Sequence, residues 1–266
     1  MVVRAGAVPA RNSPILMPEV FSAALATEGL LYLALGAFLA GIVRGFTGFG
    51  TAMVFMPVAA QFLGPFEALT VMLVKDVVAP LMHVPRAIRE GHPKDVVRLG
   101  AGAMVAVPLG VFLLTLIEPV TFRWGVSLTA LLLLVLLIAG VRYRGVLTKR
   151  LIYVAGGFGG LLAGSVGLPG PPVIMLYMAS TLPVSAVRAN LTLYLILADL
   201  ILVAVLWYGG FLVFAALALG VVLIAPYLAG NWAGALMFRP EAERIYRWVA
   251  YLIIAGSAIS GLPVWD

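Results

Sequence analysis

The sequence predicts an all-α polytopic membrane protein built from two inverted-topology repeats of about five segments each, and three observations support this. Of its 266 residues, 63% are hydrophobic and only 11% are charged, and the mean hydropathy is +1.12. Soluble domains average about 45–50% apolar and about 25% charged residues, so this chain has too little polar surface for a soluble fold. The other two observations are a series of apolar segments and a duplicated pattern of glycines.

Ten apolar segments follow an N-terminal tail at residues 1–27. A helix needs about 20 apolar residues to cross a hydrocarbon layer about 30 Å thick. The second and seventh segments are too short, and each follows a glycine-rich break, which is typical of half-helices or re-entrant hairpins in transporters. The segments cover residues 29–46, 50–63, 66–84, 96–117, 121–141, 151–166, 171–182, 184–208, 211–237 and 242–262.

Basic residues indicate the orientation. Eleven of the 17 Lys and Arg residues lie in the third, fifth and ninth connections between the segments. The positive-inside rule makes that side cytoplasmic and both termini periplasmic. The net charge of +6 is therefore expected to reflect cytoplasmic loops in contact with a lipid bilayer, and not binding to nucleic acid.

A repeated glycine spacing divides the chain into two halves. Gly41, Gly45 and Gly48 recur 119 positions later as Gly160, Gly164 and Gly167. A period near half the chain indicates a two-repeat fold, and an odd number of segments in each half inverts the second repeat, with the substrate site expected between the repeats near mid-membrane. The predicted units are repeat 1 at residues 28–141, a basic cytoplasmic connection at 142–150 and repeat 2 at 151–266.

The glycines in these patterns divide into two kinds. Those inside helices (Gly41, Gly45, Gly160 and Gly164) are expected to allow close helix packing. The breaks at 48–51 and 167–172 are expected to line the substrate site, because broken backbone at membrane depth is tolerated only where it is buried or lines a cavity. A helix that restarts after such a break presents free N–H groups and positive partial charge. Two such helix ends facing each other would cradle an anion.

These breaks resemble a known family. The first reads Gly-x-x-Gly-Phe-Gly-Thr at 45–51 and the second Gly-x-x-Gly-Leu-x-Gly-Pro at 164–171, each ahead of a short helix. The duplicated pattern is similar to the sulfite exporter family TauE/SafE over residues 28–262. The chain departs from relatives at Gly50-Thr51-Ala52, where they often carry a run of glycines, and at Pro169.

The resemblance implies a secondary transporter in the bacterial inner membrane, moving sulfite, an organosulfonate or a similar small anion by alternating access. A passive anion channel is the alternative of the same class. The sequence leaves open export against uptake, coupling to H⁺ or Na⁺, and homo-oligomerisation.

Ionisable residues inside the apolar segments are costly and are functional candidates. Lys75 and Asp76 lie about ten residues into the third segment, and Asp199 lies at similar depth in the eighth. Lys75 is expected to supply positive charge to the anion, and Asp76 and Asp199 to couple an ion or act as structural charges. Alternatively, each finds a partner and only stabilises packing.

Polar residues near the breaks complete the predicted site. Ser165 offers its hydroxyl either to the substrate or to a carbonyl of its own helix. Arg188 either reaches the membrane surface or lies on the substrate path with Asn190, whereas Arg44 is expected at the surface. The predicted substrate-binding residues are Gly48, Phe49, Gly50, Thr51, Lys75, Ser165, Gly167, Gly170, Arg188 and Asn190.

The sequence lacks the residues and motifs that several kinds of catalysis and metal binding require. There is no cysteine, no phosphate-binding G-x-x-x-x-G-K-[ST] loop and no H-E-x-x-H motif. His83 and His92 are expected in loops, and no histidine follows Ser165 to serve as its base. The sequence therefore predicts no enzyme activity, no cofactor and no metal site, with an intramembrane enzyme as the alternative from a different class.

Overall fold

The computed structural model describes residues 17–81, 84–140, 147–177 and 182–264, and within these ranges the chain forms helices joined by short turns, without strands. A 3₁₀ turn at Pro240–Ala242 precedes the last helix. The helices are α1 Met17–Leu25, α2 Leu30–Thr47, α3 Thr51–Phe62, α4 Pro65–Leu81, α5 Val84–Glu90, α6 Pro93–Thr115, α7 Pro119–Ile138, α8 Lys149–Val166, α9 Gly170–Tyr177, α10 Val184–Tyr208, α11 Phe214–Met237 and α12 Glu243–Ser260. The all-α prediction is confirmed.

Each of the ten predicted apolar segments coincides with a helix, from α2 to α4 and from α6 to α12. The structure adds two helices: α1 in the N-terminal tail, and the short α5 in the third connection. Parts of the predicted tail and basic connection, the end of the seventh segment and His83 lie outside the described residues. The helix ends follow local signals, since Pro93 and Pro119 occupy the first turns of α6 and α7, where proline is well tolerated.

Five helices in the described ranges are long and apolar enough to cross a bilayer: α2, α6, α7, α10 and α11. The chain is a polytopic membrane protein, as predicted. By contrast, the 12 residues of α3 extend about 18 Å at 1.5 Å per residue, which is less than a hydrocarbon layer about 30 Å thick. The described part of α9 is shorter still, at 8 residues.

The two halves of the chain pack closely against each other. The most extensive helix contacts join α6 to α8 and α2 to α11. In both cases the fourth apolar segment of one half lies on the first segment of the other half. Two further contacts between the halves are equivalent to each other: α4 packs on α11, and α10 packs on α6.

Glycines make these contacts close. A Cβ added at Gly41 would lie 2.2 Å from the Tyr227 carbonyl oxygen, and one at Gly160 would lie 2.6 Å from the Ala103 Cα. Added Cβ atoms at Gly45 and Gly164 would meet backbone atoms of α11 and α6 at 2.6 and 2.4 Å. The predicted packing role of these four glycines is confirmed.

The contacts are equivalent in the two halves. Gly45 faces the Asn231 carbonyl oxygen and the Ala235 nitrogen. Gly164 faces the same pair of backbone groups, four residues apart, in α6: the Val107 oxygen and the Val111 nitrogen. The repeated glycine spacing therefore serves the same packing purpose in both halves.

Candidate functional site

The two glycine-rich breaks line one cavity of about 50 Å³. The first break contributes Phe49, Gly50 and Thr51, and the second contributes Gly167, Pro169, Gly170 and Pro171. Further residues from α2, α3, α4, α8, α9 and α10 complete its wall. Segments separated by more than 100 positions in the sequence thus meet at a single hollow inside the helix bundle.

Left-handed glycines end the helices on both sides of this cavity. Gly48 closes α2 with φ of 78°, and Gly167 closes α8 with φ of 73°. Side chains with a Cβ rarely adopt this backbone conformation, whereas glycine does so readily. At the second break, the Gly167 N–H donates to the Ala163 carbonyl, and the Leu168 N–H donates to the Leu162 carbonyl. The chain therefore leaves each helix by a sharp turn toward the cavity.

The restarting helices differ in what they offer to a ligand. The first N–H groups of a helix have no acceptor within it, and in α3 these belong to Thr51, Ala52 and Met53, which all line the cavity. No acceptor in the described part of the chain bonds these three groups. In α9, by contrast, the second and third residues are Pro171 and Pro172, which have no N–H. The predicted cradle of two helix ends is therefore asymmetric, with α3 as the main backbone donor.

Lys75 lies behind the cavity wall and not in it. Its side chain is fully buried, and its ammonium nitrogen lies 2.6 Å from Asp76 Oδ1. The same nitrogen lies 4.7 Å from the centre of the Phe55 ring and 4.4 Å from that of Tyr227. A carboxylate and two aromatic faces compensate for the loss of water around this charge.

Asp76 connects this buried pair to the cavity. Its second oxygen accepts a hydrogen bond of 3.1 Å from the Thr51 hydroxyl at the start of α3. Both Asp76 and Thr51 line the cavity. The carboxylate therefore has a partner on each oxygen and ties the first break to α4.

Arg44 and Asp199 are the other two charged residues of the wall. Arg44 lies in the last turn of α2, with its guanidinium near the Tyr227 hydroxyl. Neither Arg44 nor Asp199 makes an ion pair with any described residue within 4.0 Å. Among the described residues, the cavity is therefore bordered by one cation and one carboxylate that lack a direct partner of opposite charge.

Seven of the residues predicted from the sequence line the cavity. They are the substrate candidates Phe49, Gly50, Thr51, Gly167 and Gly170 and the charge candidates Asp76 and Asp199. The remaining five substrate candidates lie elsewhere: Gly48, Lys75, Ser165, Arg188 and Asn190.

Four of these five have surroundings that explain their absence from the wall. The Ser165 hydroxyl donates to the Leu161 carbonyl of its own helix at 2.8 Å, which was the alternative expected for it. Asn190 is buried and accepts a hydrogen bond of 2.7 Å from the His92 N–H, across the junction of α6 and α10. Arg188 and Gly48 are exposed.

The sequence predicted Arg44 at the membrane surface, whereas the structure places it in the cavity wall. The feature of the sequence that could have indicated this position is that Arg44 lies four residues before Gly48. A basic residue in the last turn also stabilises a helix through the macrodipole, so the sequence alone does not separate the two uses.

A helical membrane protein in which two broken segments meet at a charged internal cavity has the architecture of a membrane transport protein. The family model for the sulfite exporter TauE/SafE matches residues 33–261, so the chain belongs to this family of membrane transporters. No curated protein matches the chain, and no solved structure does.

Proposed function

We propose that this protein is a secondary transporter that moves a small anion across the bacterial inner membrane by alternating access, with sulfite or an organosulfonate as its substrate. The observation that carries this proposal is the cavity between the two breaks, which is lined by Arg44 and by the three residues of α3 whose N–H groups are free. Family membership supports the class of substrate.

The size of the cavity favours a small ligand. A buried water needs about 10–15 Å³ of the same kind of volume, so about 50 Å³ holds a few waters or one small polyatomic anion. A sulfonate group fits this space, whereas a longer organic tail would need the cavity to open. Free N–H groups and an arginine are suited to such a ligand, because they donate hydrogen bonds to anionic oxygens without a proton transfer.

Alternating access would follow from the packing of the two halves. The short helix α3 and the described part of α9 both line the cavity. Close glycine contacts join α2 to α11 and α6 to α8, and we propose that these helix pairs move as rigid bodies about the central site. We propose that the basic connections are cytoplasmic and both termini periplasmic, as the distribution of Lys and Arg indicates.

A ligand panel tests the proposed substrate class. Thermal unfolding of the purified full-length protein is followed with sulfite, sulfate, thiosulfate, taurine, sulfoacetate and simple carboxylates. A ligand present at 100 times its Kd stabilises the native state by about 2.7 kcal/mol, so sulfite or one of the organosulfur anions should raise the Tm by several degrees more than the carboxylates do. Equal shifts with all anions, or none, would contradict the proposal.

Replacing Arg44 by glutamine tests the cation of the cavity. The Arg44→Gln variant should lose at least tenfold in affinity for the stabilising anion, because a charge-assisted hydrogen bond contributes about 1.5–3 kcal/mol. The measurement is the concentration of anion that gives half of the maximal Tm shift. Arg86→Gln is the matched control, since Arg86 is an exposed arginine paired with Glu90 far from the cavity lining. Equal affinity in the Arg44 variant would remove this residue from the site.

Reconstitution into liposomes separates a carrier from a passive channel. A carrier exchanges labelled anion for unlabelled anion across the membrane and saturates with substrate. Flux that depends only on the gradient of the anion itself, without saturation or exchange, would favour the channel.

A further inference from the structure

The two carboxylates that line the cavity are not equivalent. Asp76 is held by the Lys75 ammonium at 2.6 Å and by the Thr51 hydroxyl at 3.1 Å. Asp199 lines the same cavity but has no ion pair among the described residues. An ionised carboxylate without a partner in a low-dielectric site is costly, so Asp199 is the group whose charge needs an explanation.

The groups that face Asp199 come from several helices. Arg44 approaches from α2 and the Lys75–Asp76 pair from α4, while the phenols of Tyr227 on α11 and of Tyr194 on α10 itself interact electrostatically with Asp199. The cavity residues of α8 and α9 are not ionisable. The charges of α6 lie in its first turns, beside the start of α10, and none of them is among the charges that act on Asp199.

A count of charges shows what this arrangement can hold. With both tyrosines neutral and all other groups ionised, Arg44 and Lys75 balance Asp76 and Asp199, so the empty site has no net charge. A monovalent anion would then leave an uncompensated negative charge inside the protein, which is unfavourable at low dielectric. One proton on Asp199 restores neutrality, and no other carboxylate at the site is free to accept it.

We propose that Asp199 takes up one proton when a monovalent anion binds, so that proton and anion cross the membrane together. The proton comes from water on the side to which the cavity is open, bonds one carboxylate oxygen of Asp199, and leaves with the anion on the other side. The empty site and the site that holds both proton and anion are the two neutral states, and these are the states that change their access. This inference rests on the proposed transport function.

Co-movement makes each transport step electroneutral. The direction of net flux then follows the product of the anion and proton gradients, and the membrane potential does not drive it. An anion that crossed alone would instead respond to the potential as a full charge.

Binding of radiolabelled sulfite to detergent-purified full-length protein between pH 6 and 9 tests the proton site. Sulfite itself titrates in this range, so the decisive quantity is the ratio of the wild-type Kd to that of Asp199→Asn at each pH. Where Asp199 is ionised in the empty protein, this ratio should rise by up to tenfold per pH unit, because asparagine remains neutral. A ratio that is constant across the range would overturn the inference.

Two further variants guard against a merely structural effect. Asp199→Glu keeps a titrating carboxylate, so the ratio of its Kd to that of Asp199→Asn should rise with pH as the wild-type ratio does. Asp95→Asn changes a carboxylate that pairs with Arg98 on α6, outside the cavity, and should also leave this rise unchanged. If the ratio of Kd values no longer rose with pH in either variant, the assignment to Asp199 would be contradicted.

Flux in liposomes provides the second readout. Net sulfite flux through the wild type should respond to an imposed pH gradient and should not change when a potassium gradient with valinomycin sets the membrane potential. Flux that follows the potential and ignores the pH gradient would overturn the inference while leaving the transport function intact. Absence of both sulfite binding and sulfite flux in the wild type would instead overturn the proposed function.

Discussion

Alanine at Gly230 is expected to prevent the normal packing of α11 on α2. A Cβ at this position would lie 2.0 Å from the Phe38 carbonyl oxygen and 2.9 Å from its carbon. These are backbone atoms of a neighbouring helix, so no side-chain rotation relieves the clash and the two helices must separate. Overpacking of this kind costs about 1–3 kcal/mol in ordinary cores and occasionally more, and we expect the upper end or beyond.

The measurement is thermal unfolding of purified Gly230→Ala together with its elution profile in size-exclusion chromatography. We expect the Tm to fall by about 6–12 °C, or the monodisperse protein to be lost. The control is Gly256→Ala in α12, where an added Cβ meets nothing within 4 Å. That change should be neutral or slightly stabilising, by up to about 1 kcal/mol, because alanine favours a helix more than glycine does. A Tm for Gly230→Ala equal to that of the control would refute the close contact between α2 and α11.

Replacing Lys75 by alanine is expected to destabilise the fold strongly. The ammonium is fully buried against the Asp76 carboxylate, Phe55 and Tyr227. Removing one member of a buried ion pair leaves the other without compensation and costs about 3–5 kcal/mol. This corresponds to the alternative expected from the sequence, in which Lys75 finds a partner and stabilises packing. In the other expectation Lys75 supplies positive charge to the anion, and its loss would weaken anion binding.

A double-mutant cycle separates the pair from its surroundings. The variants Lys75→Met and Asp76→Asn are compared with the double variant by thermal unfolding, and the double variant should lose less stability than the sum of the two single losses. Glu90→Gln is the control, since the Arg86–Glu90 pair is exposed, and exposed i,i+4 pairs contribute only about 0.3–0.5 kcal/mol. Additive losses at Lys75 and Asp76, or a stable Lys75→Ala protein with weakened anion binding, would favour direct contact of Lys75 with the anion.

The fold was largely predictable because its signals are local. Helix positions follow from apolar length and from proline and glycine at the ends, and each of the ten predicted segments coincides with a helix. The packing glycines were also predictable, since spacings of three and four residues put them on one helix face. Two helices escaped prediction: α1 lies in a tail with interrupted hydrophobicity, and α5 has only 7 residues.

The site was predictable where the backbone itself carries the signal. Phe49, Gly50, Thr51, Gly167 and Gly170 lie at breaks that glycine and proline impose, and all five line the cavity. Side chains inside helices were harder to place, because the direction of a helix face depends on its neighbours. Arg188 and Asn190 are two positions apart in α10 and therefore point to different faces, and only the neighbouring helices decided that Asn190 is buried beside His92 while Arg188 is exposed.

The amino-acid sequence by itself determined that the chain lies in a membrane, that its two halves repeat one glycine pattern, and that the backbone breaks twice in the interior. These properties depend on composition and on residues close together in the chain. Only the tertiary structure decided which cation faces the cavity. The approach of α11 to α2 and α4 places Tyr227 near the charges of both helices, so that Lys75 is enclosed by aromatic rings while Arg44 remains open to the hollow. That outcome depends on contacts between residues more than 150 positions apart, which no local pattern encodes.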